Sequence, residues 1–167
     1  MSYLTTYSSR NVQITYAGLE LKAGKGEDTF MTMEYSADRF SSTAGADGDH
    51  AVSLSPDHSG KITLTYQSTS DSCKKLVALH SALRASERAG KPVLMALPIG
   101  IVDPSGSSLV IADEAALQSV GTNTLGLGEN TRDFVFHVPN VIEMAFGDDM
   151  GNEITKILDK AQSDLGL

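Results

Sequence analysis

The sequence predicts a mainly β fold of the α+β class, with antiparallel strands, an extended hairpin, one long flanking α-helix over about residues 71–89 and a short C-terminal helix. Three patterns carry that prediction. Ile62, Leu64 and Tyr66 alternate with Thr63, Thr65 and Gln67, the period of two that a strand shows when one face is buried and the other wet. Met31, Met33 and Tyr35 alternate in the same way with Thr32, Glu34, Ser36 and Asp38. Farther on, Ser70-Asp71-Ser72 supplies cap and first-turn residues, Leu76, Leu79, His80 and Leu83 share one helical face, and Gly90 and Pro92 end the run.

The remaining elements follow in chain order. Val12, Ile14 and Tyr16 form a short first strand before Ala17-Gly18. Phe40 carries the 31–38 strand on past a change of face. The Asp-Gly pair within Ala44 to His50 favours a tight turn, Val52 and Leu54 alternate with Ser53 and Ser55, and a second break at Pro56 to Gly60 leads into the 62–67 strand. Residues 28–67 thus read as an antiparallel hairpin system. Two turns with so few apolar side chains between them cannot build a core, which predicts that Ala44 to Gly60 reaches out of the body.

On the helix, Lys74, Arg84 and Arg88 lie on or near the face opposite the leucines, so basic charge points outward from a sheet. Val93 to Val102 and Leu109 to Ala112 are further strands, joined by a turn at Asp103 to Ser108. Glu114 to Val120 fits a short helix, and Gly121 to Glu129 an irregular loop. Phe134, Phe136 and Val138 read as a strand, and Val141 to Phe146 as its neighbour. Ile154, Ile157, Leu158, Ala161 and Leu165 fit an amphipathic C-terminal helix. No repeat or linker divides the chain, so residues 1–167 read as a single domain.

At 41% hydrophobic the 167 residues can bury a core and are too apolar for a disordered chain. Thirteen basic against 21 acidic residues give a net charge of -8, which excludes a phosphate-tracking basic surface and with it a sequence-reading DNA binder. The charge is blocked: +2 over residues 1–25, -6 over 26–60, +4 over 61–102, -8 over 103–153 and 0 beyond. Such blocks are either solvated faces or surfaces that dock against an opposite charge. The first ten residues have neither a basic start nor an apolar run, and the longest apolar stretch contains Pro98, so neither an export signal nor a membrane span is expected. Cys73 has no partner for an internal disulfide, which suits a reducing compartment.

No motif for catalysis, cofactor or metal emerges. Gly24-Lys25-Gly26 and Gly90-Lys91 lack the upstream glycine and following hydroxyl of a phosphate loop, and Gly126-Leu-Gly128 lacks the third glycine of a dinucleotide fingerprint. No serine sits in a nucleophile elbow. Cys73, at a helix start, has no histidine beside it in sequence and reads as a small tolerated side chain. His50 and His58 lack metal-ligand spacing, and His80 reads as a hydrogen-bonded core histidine. Asp148, Asp149, Asn152 and Glu153 lack the order of a calcium loop and read as a turn and helix start. The expectation is no enzyme, no cofactor and no metal.

The stretch from Asp38 to Leu79 resembles the tail tube subunits of contractile-tailed bacteriophages. The resemblance lies in Asp38-Arg39-Phe40, Gly45-Ala-Asp-Gly48, Asp57-His-Ser-Gly60-Lys-Ile-Thr-Leu-Thr65, and Gln67-Ser-Thr-Ser70 leading to Leu76 and Leu79. Ser105 to Asp113 and Thr131 to Phe134 are weaker continuations. The helix start, Asp71-Ser-Cys-Lys, departs from the pattern, and the first thirty residues match little.

The resemblance implies a β-barrel or sandwich with a flanking helix, similar in fold to the type VI secretion tube protein. It implies hexameric rings stacked into a hollow tube that conducts double-stranded DNA without specific binding. Its partners would be tail sheath, baseplate and tail terminator proteins, in the virion and, during assembly, in the host cytoplasm. The polar face of the hairpin strands would line the lumen: Thr32, Glu34, Ser36 and Asp38, with Thr63, Thr65 and Gln67. Gly45, Asp47, Gly48, Asp49, His50, Asp57, His58 and Gly60 would belong to a ring-stacking hairpin, while Lys74, Arg84 and Arg88 would lie outside the lumen. An acidic lumen would let DNA slide without sticking. Two other readings remain. One is the inner tube of a phage-tail-like bacteriocin or other contractile injection system. The other is a β-sandwich ligand-binding module, disfavoured by the absence of Trp.

Overall fold

The computed structural model describes residues 7–104 and 109–144, and beyond them Lys156, Asp159, Lys160 and Ser163. In order the elements are β1 (Gln13–Tyr16), β2 (Leu19–Glu20), β3 (Met31–Tyr35), β4 (Phe40–Ala44), β5 (His50–Leu54), β6 (Gly60–Gln67), α1 (Asp71–Arg88), β7 (Ala96–Val102), β8 (Leu109–Val120), β9 (Thr131–Val138) and β10 (Ile142–Met144). The fold is mainly β and the strand pairs are antiparallel.

The main sheet runs β2-β1-β7-β8-β9-β6-β3, with β10 also paired to β8, while β4 and β5 pair only with each other. Period-two alternation aims Ile14 and Tyr16, Ile62, Leu64 and Tyr66, Ile99 and Ile101, and Phe134, Phe136 and Val138 at one interior, where all are buried. The sheet curls around that core. β1 and β9 are separated by two strands, yet the Tyr16 and Phe136 rings meet at 4.8 Å and the Tyr16 hydroxyl donates to the Ala115 carbonyl at 3.0 Å.

Curling brings the two ends of the sheet together without a ladder between β2 and β3. After a two-residue turn in which Ala17 and Gly18 both have positive φ, the pattern that matches strand twist, the chain passes from β2 directly to β6. Buried Leu21 lies on this seam and accepts a 3.1 Å hydrogen bond from the Tyr66 hydroxyl. The Gly24 carbonyl accepts from Gln67 N–H, and Gly26 N–H donates to the Thr65 carbonyl. Gly24 has φ +76°, and a Cβ there would stand 2.0 Å from that of Ser70, so both its backbone and its missing side chain are used. In place of the closed barrel or sandwich that the resemblance implies, the described residues of the body form one curled antiparallel sheet, not a closed barrel, whose ends are tied by the segment 21–26.

α1 begins where its cap predicts: Ser70 Oγ accepts from Cys73 N–H at 3.1 Å. Its first two turns enter the core through Ser72, Cys73 and Leu76. Leu79, His80 and Leu83 are only half-buried, so His80 is a partly exposed helix residue and not a core histidine.

Four expectations need correction. Residues 114–120 are not a helix but the second half of β8, paired through Leu117↔Phe136 and Val120↔Phe134 with a bulge between Leu117 and Ser119. Burial of Ala115 between two strand neighbours outweighs the helix propensity of Glu-Ala-Ala-Leu. Val141 onward is not a neighbour of β9: β10 pairs with β8, Ile142 against Ile111, resuming the line that β9 leaves at Val138. Pro139, which has no N–H to offer a ladder, interrupts that line. β7 starts at Ala96, three residues later than expected, and Phe40 opens the separate β4–β5 pair and does not extend β3. The turn residues 105–108, the acidic cluster at 148–153 and the apolar residues Ile154, Ile157, Leu158, Ala161 and Leu165 lie outside the described residues. Lys156, Asp159, Lys160 and Ser163 are helical and exposed.

Candidate assembly interface

Three surfaces collect the residues singled out by sequence. The first is the β4–β5 hairpin, in which all ten strand residues are exposed. Its turn is closed by Gly45 N–H on the Asp49 carbonyl and Gly48 N–H on the Gly45 carbonyl, so Gly45, Asp47, Gly48, Asp49 and His50 are at the tip. At the root, Ser55 N–H donates to the Arg39 carbonyl at 2.9 Å. Asp57 and His58 are exposed there, and the Asp57 carboxylate accepts from Ser59 N–H at 2.9 Å, which holds the carboxyl below its usual range. Gly60 belongs to the body. It is buried at the start of β6, where a Cβ would meet the Glu34 carbonyl at 2.7 Å.

The register shows what the hairpin presents. Phe40 opposes Leu54 and Val52 lies two residues on, so all three are on one face, at 52%, 71% and 61% exposure. A cleft of about 440 Å³ at the root is lined by Tyr35, Ala37, Asp38, Arg39, Asp57 and His58. The Tyr35 phenol is pushed up by burial and then by the charge and hydrogen bond of Glu143.

The second surface is the outward face of β3, β6 and β9. Thr32 and Glu34 are exposed on β3, and Thr63, Thr65 and Gln67 are half-exposed on β6. Ser36 and Asp38 are exposed too, but they lie beyond the end of β3, where strand alternation no longer assigns a face. Cross-strand pairing adds residues that alternation within one strand could not: Glu34 opposes Lys61, which opposes His137, and Thr65 opposes Asp133. Thr65 Oγ1 donates to Asp133 Oδ1 at 2.7 Å. The face therefore mixes carboxylates with a lysine and a histidine, which a reading of the acidic residues alone missed. An open cleft of about 420 Å³ borders it, lined by Glu27, Asp28, Glu129 and neighbouring threonines.

The third surface is α1. Lys74, Arg84 and Arg88 are exposed, and Arg84 pairs with Glu87 at 3.2 Å. Beside them Lys75 pairs with Asp71 at 2.8 Å, leaving a mixed face richer in base than acid.

Nothing in these surfaces converges on chemistry. Among the described residues no group of three or more His, Cys, Asp or Glu side chains could hold a metal ion, and no helix is long and apolar enough to cross a membrane. The Cys73 thiol is buried, and burial pushes it up, the opposite of an activated nucleophile.

Comparison with known proteins matches this architecture. The sheath/tube terminator of an extracellular contractile injection system superposes with a TM-score of 0.59 at 10% identity, covering 86% of this chain and all of that one. A chain from the sheath–tube complex of such a system gives 0.53 at 10% identity, over 84% and 92%. The fold is one that these contractile-injection assemblies also contain. A family model described as bacteriophage PhiTE tail tube protein matches residues 4–146, and the chain belongs to that family. Structural protein ORF10 of Pseudomonas phage KPP10 is 30% identical over 117 residues, 70% of this chain and 65% of that protein. This chain thus matches somewhat less than two thirds of that relative's length. A structural role in a phage tail tube follows from the family.

Proposed function

We propose that the chain is the repeating tube subunit of a contractile phage tail, a single-domain protein that closes into hexameric rings and stacks them into a conduit for double-stranded DNA. The observation that carries this reading is the β4–β5 hairpin, ten exposed residues that project from a well-packed body with their apolar stripe in water. A two-stranded hairpin is marginal by itself, so it needs a partner surface, and a neighbouring ring supplies one. Among the described residues β3 pairs only with β6, and its other edge would meet the next subunit around the ring. Thr32, Glu34, Thr63, Thr65 and Gln67 then face the lumen, and Ser36 and Asp38, just beyond the end of β3, would border it. Six copies of Glu34 and Asp133 make that wall repel phosphate, moderated by Lys61 and screened over about 8–10 Å at physiological salt. Lys74, Arg84 and Arg88 face outward, toward the tail sheath, with baseplate and terminator at the tube ends. The subunit does no catalysis and needs no cofactor.

Negative-stain microscopy of the purified full chain tests this: tubes or rings with a central hole are expected, and a uniform monomer at high concentration would overturn it. The fold likeness to injection-system proteins supports a second reading, the same subunit in a machine that carries no DNA. Nuclease-protected DNA in purified particles separates the two.

A further inference from the structure

We propose that the loop of residues 121–130 receives the hairpin, with Leu125 and Leu127 of one copy seated against Phe40, Val52 and Leu54 of a second copy of this chain. The proposal rests on the stacking reading above and names the surface that reading leaves open.

The register places the two surfaces at opposite ends of the molecule. β6 runs from Gly60 to Gln67. The hairpin lies between Tyr35 and Gly60, which oppose each other in the β3–β6 pair, so it leaves from the Gly60 end. Residues 121–130 lead into Thr131, which opposes Gln67, so that loop sits at the other end. An eight-residue strand separates the two by about 25 Å. A stack of identical rings must mate one end of each subunit with the opposite end of another copy, a heterologous contact between two different patches of the same chain.

The loop is organised to present its leucines. Asn130 Nδ2 donates to the Thr124 and Gly128 carbonyls, Ser68 N–H donates to the Asn130 carbonyl at 2.8 Å, and Thr69 Oγ1 donates to Glu129 at 2.6 Å. Held in this way, Leu125 is 88% exposed and Leu127 fully exposed. Scattered surface leucines need no explanation, but two of them on a tethered loop, opposite an apolar hairpin face, form a matched pair. The hairpin's five-residue strands extend about 17 Å beyond the body, long enough to reach across a ring boundary. Of the other exposed apolar residues, Val102, Ile111, Ile142 and Met144 share the hairpin's end of the sheet, so a head-to-tail contact cannot bring them against the hairpin of the next ring, whereas Val93 and Leu94 precede β7 toward the loop's end and would flank the same receiving surface.

Cross-linking of the assembled full chain tests the pairing. With Val52→Cys and Leu127→Cys in one chain and Cys73 left buried, a short bis-maleimide should give a ladder of linked multimers that neither single variant gives. A ladder from Val52→Cys with Ile142→Cys, and none from Val52→Cys with Leu127→Cys, would overturn the proposal. Independently, Leu125→Asp with Leu127→Asp should leave circular dichroism unchanged and cut tube length at least tenfold. Wild-type tube length in that folded variant would also overturn it. Replacing residues 40–54 by two glycines separates the two levels. If this replacement abolishes tubes while the aspartate variant makes them, only the receiving surface is lost; if both make tubes, the stacking reading falls as well.

Discussion

β6 and the β4–β5 hairpin are built from the same antiparallel pairing, and they differ in what the pairing buries. In β6 every second residue is buried, from Gly60 through Tyr66; in β4 and β5 none is. β6 has β3 on one side and β9 on the other, and its inward side chains meet Phe134 and Phe136. The hairpin has a ladder, a closed turn and an apolar stripe, but among the described residues no second layer covers it. The body is therefore stabilised within the chain, whereas the hairpin's apolar surface gains its free energy only on assembly.

The sharpest way to break this comparison is to damage each region in turn. Phe136→Ala removes a fully buried ring that touches Tyr16, and a loss of about 3–5 kcal/mol in urea unfolding is expected. Leu54→Ala should change the monomer by less than about 0.5 kcal/mol, because a side chain 71% exposed loses little. In sedimentation or microscopy the order reverses: Leu54→Ala should impair tube growth. A large stability loss at Leu54 would mean that the hairpin is part of the monomer's core.

How much of this contrast is legible in the sequence follows from where each pattern's neighbours lie. The alternation at 62–67 and the Ser70 cap are local signals, and both elements form within a residue or two of the predicted positions. The exposure of the hairpin is legible too, from the scarcity of apolar residues between its turns. Residues 114–120 are misread because Ala and Leu suit a helix until β7 and β9 flank them, and β10 is misassigned because Pro139 hides the continuation of a strand line. On the polar face, Thr32 and Glu34 follow from period two, but Lys61 and His137 join them only through cross-strand register. Leu125 and Leu127 carry no motif: what singles them out is their exposure and the end of the sheet on which their loop lies.

The seam offers a smaller effect that sharpens the picture of the body as self-sufficient. Tyr66→Phe removes the hydroxyl that bonds the Leu21 carbonyl, the link that draws the sheet's two ends together, and leaves a buried acceptor unpaired. A cost of about 1–3 kcal/mol is expected, with no change in tube formation once the protein is folded. The same group sets an alkaline limit. Burial raises the Tyr66 phenol above its ordinary 10.0, and burial raises Tyr16 too, so both stay protonated in the fold at pH values where the unfolded chain ionises. Their contribution is complete below pH 10 and declines as the pH rises beyond it. Urea midpoints measured from pH 8 to 11 should fall above pH 10, and less steeply in Tyr66→Phe; equal slopes would show that Tyr66 does not govern the decline.

Within the body, the smallest expected effect belongs to Cys73, which lies in the first turn of α1 at 2% exposure with its N–H on the Ser70 hydroxyl. Cys73→Ser keeps the size and the cap but introduces a hydroxyl into apolar surroundings, at a cost of about 1–2 kcal/mol. Because the thiol faces the core and burial raises it, Ellman's reagent should react with the native protein far more slowly than with the urea-unfolded chain. Tube formation should be unchanged, since no assembly surface includes this residue. Fast thiol labelling of the folded protein, or a folded Cys73→Ser variant that makes no tubes, would move Cys73 from the body to the interface and remove the division between a self-sufficient core and an assembly-dependent hairpin.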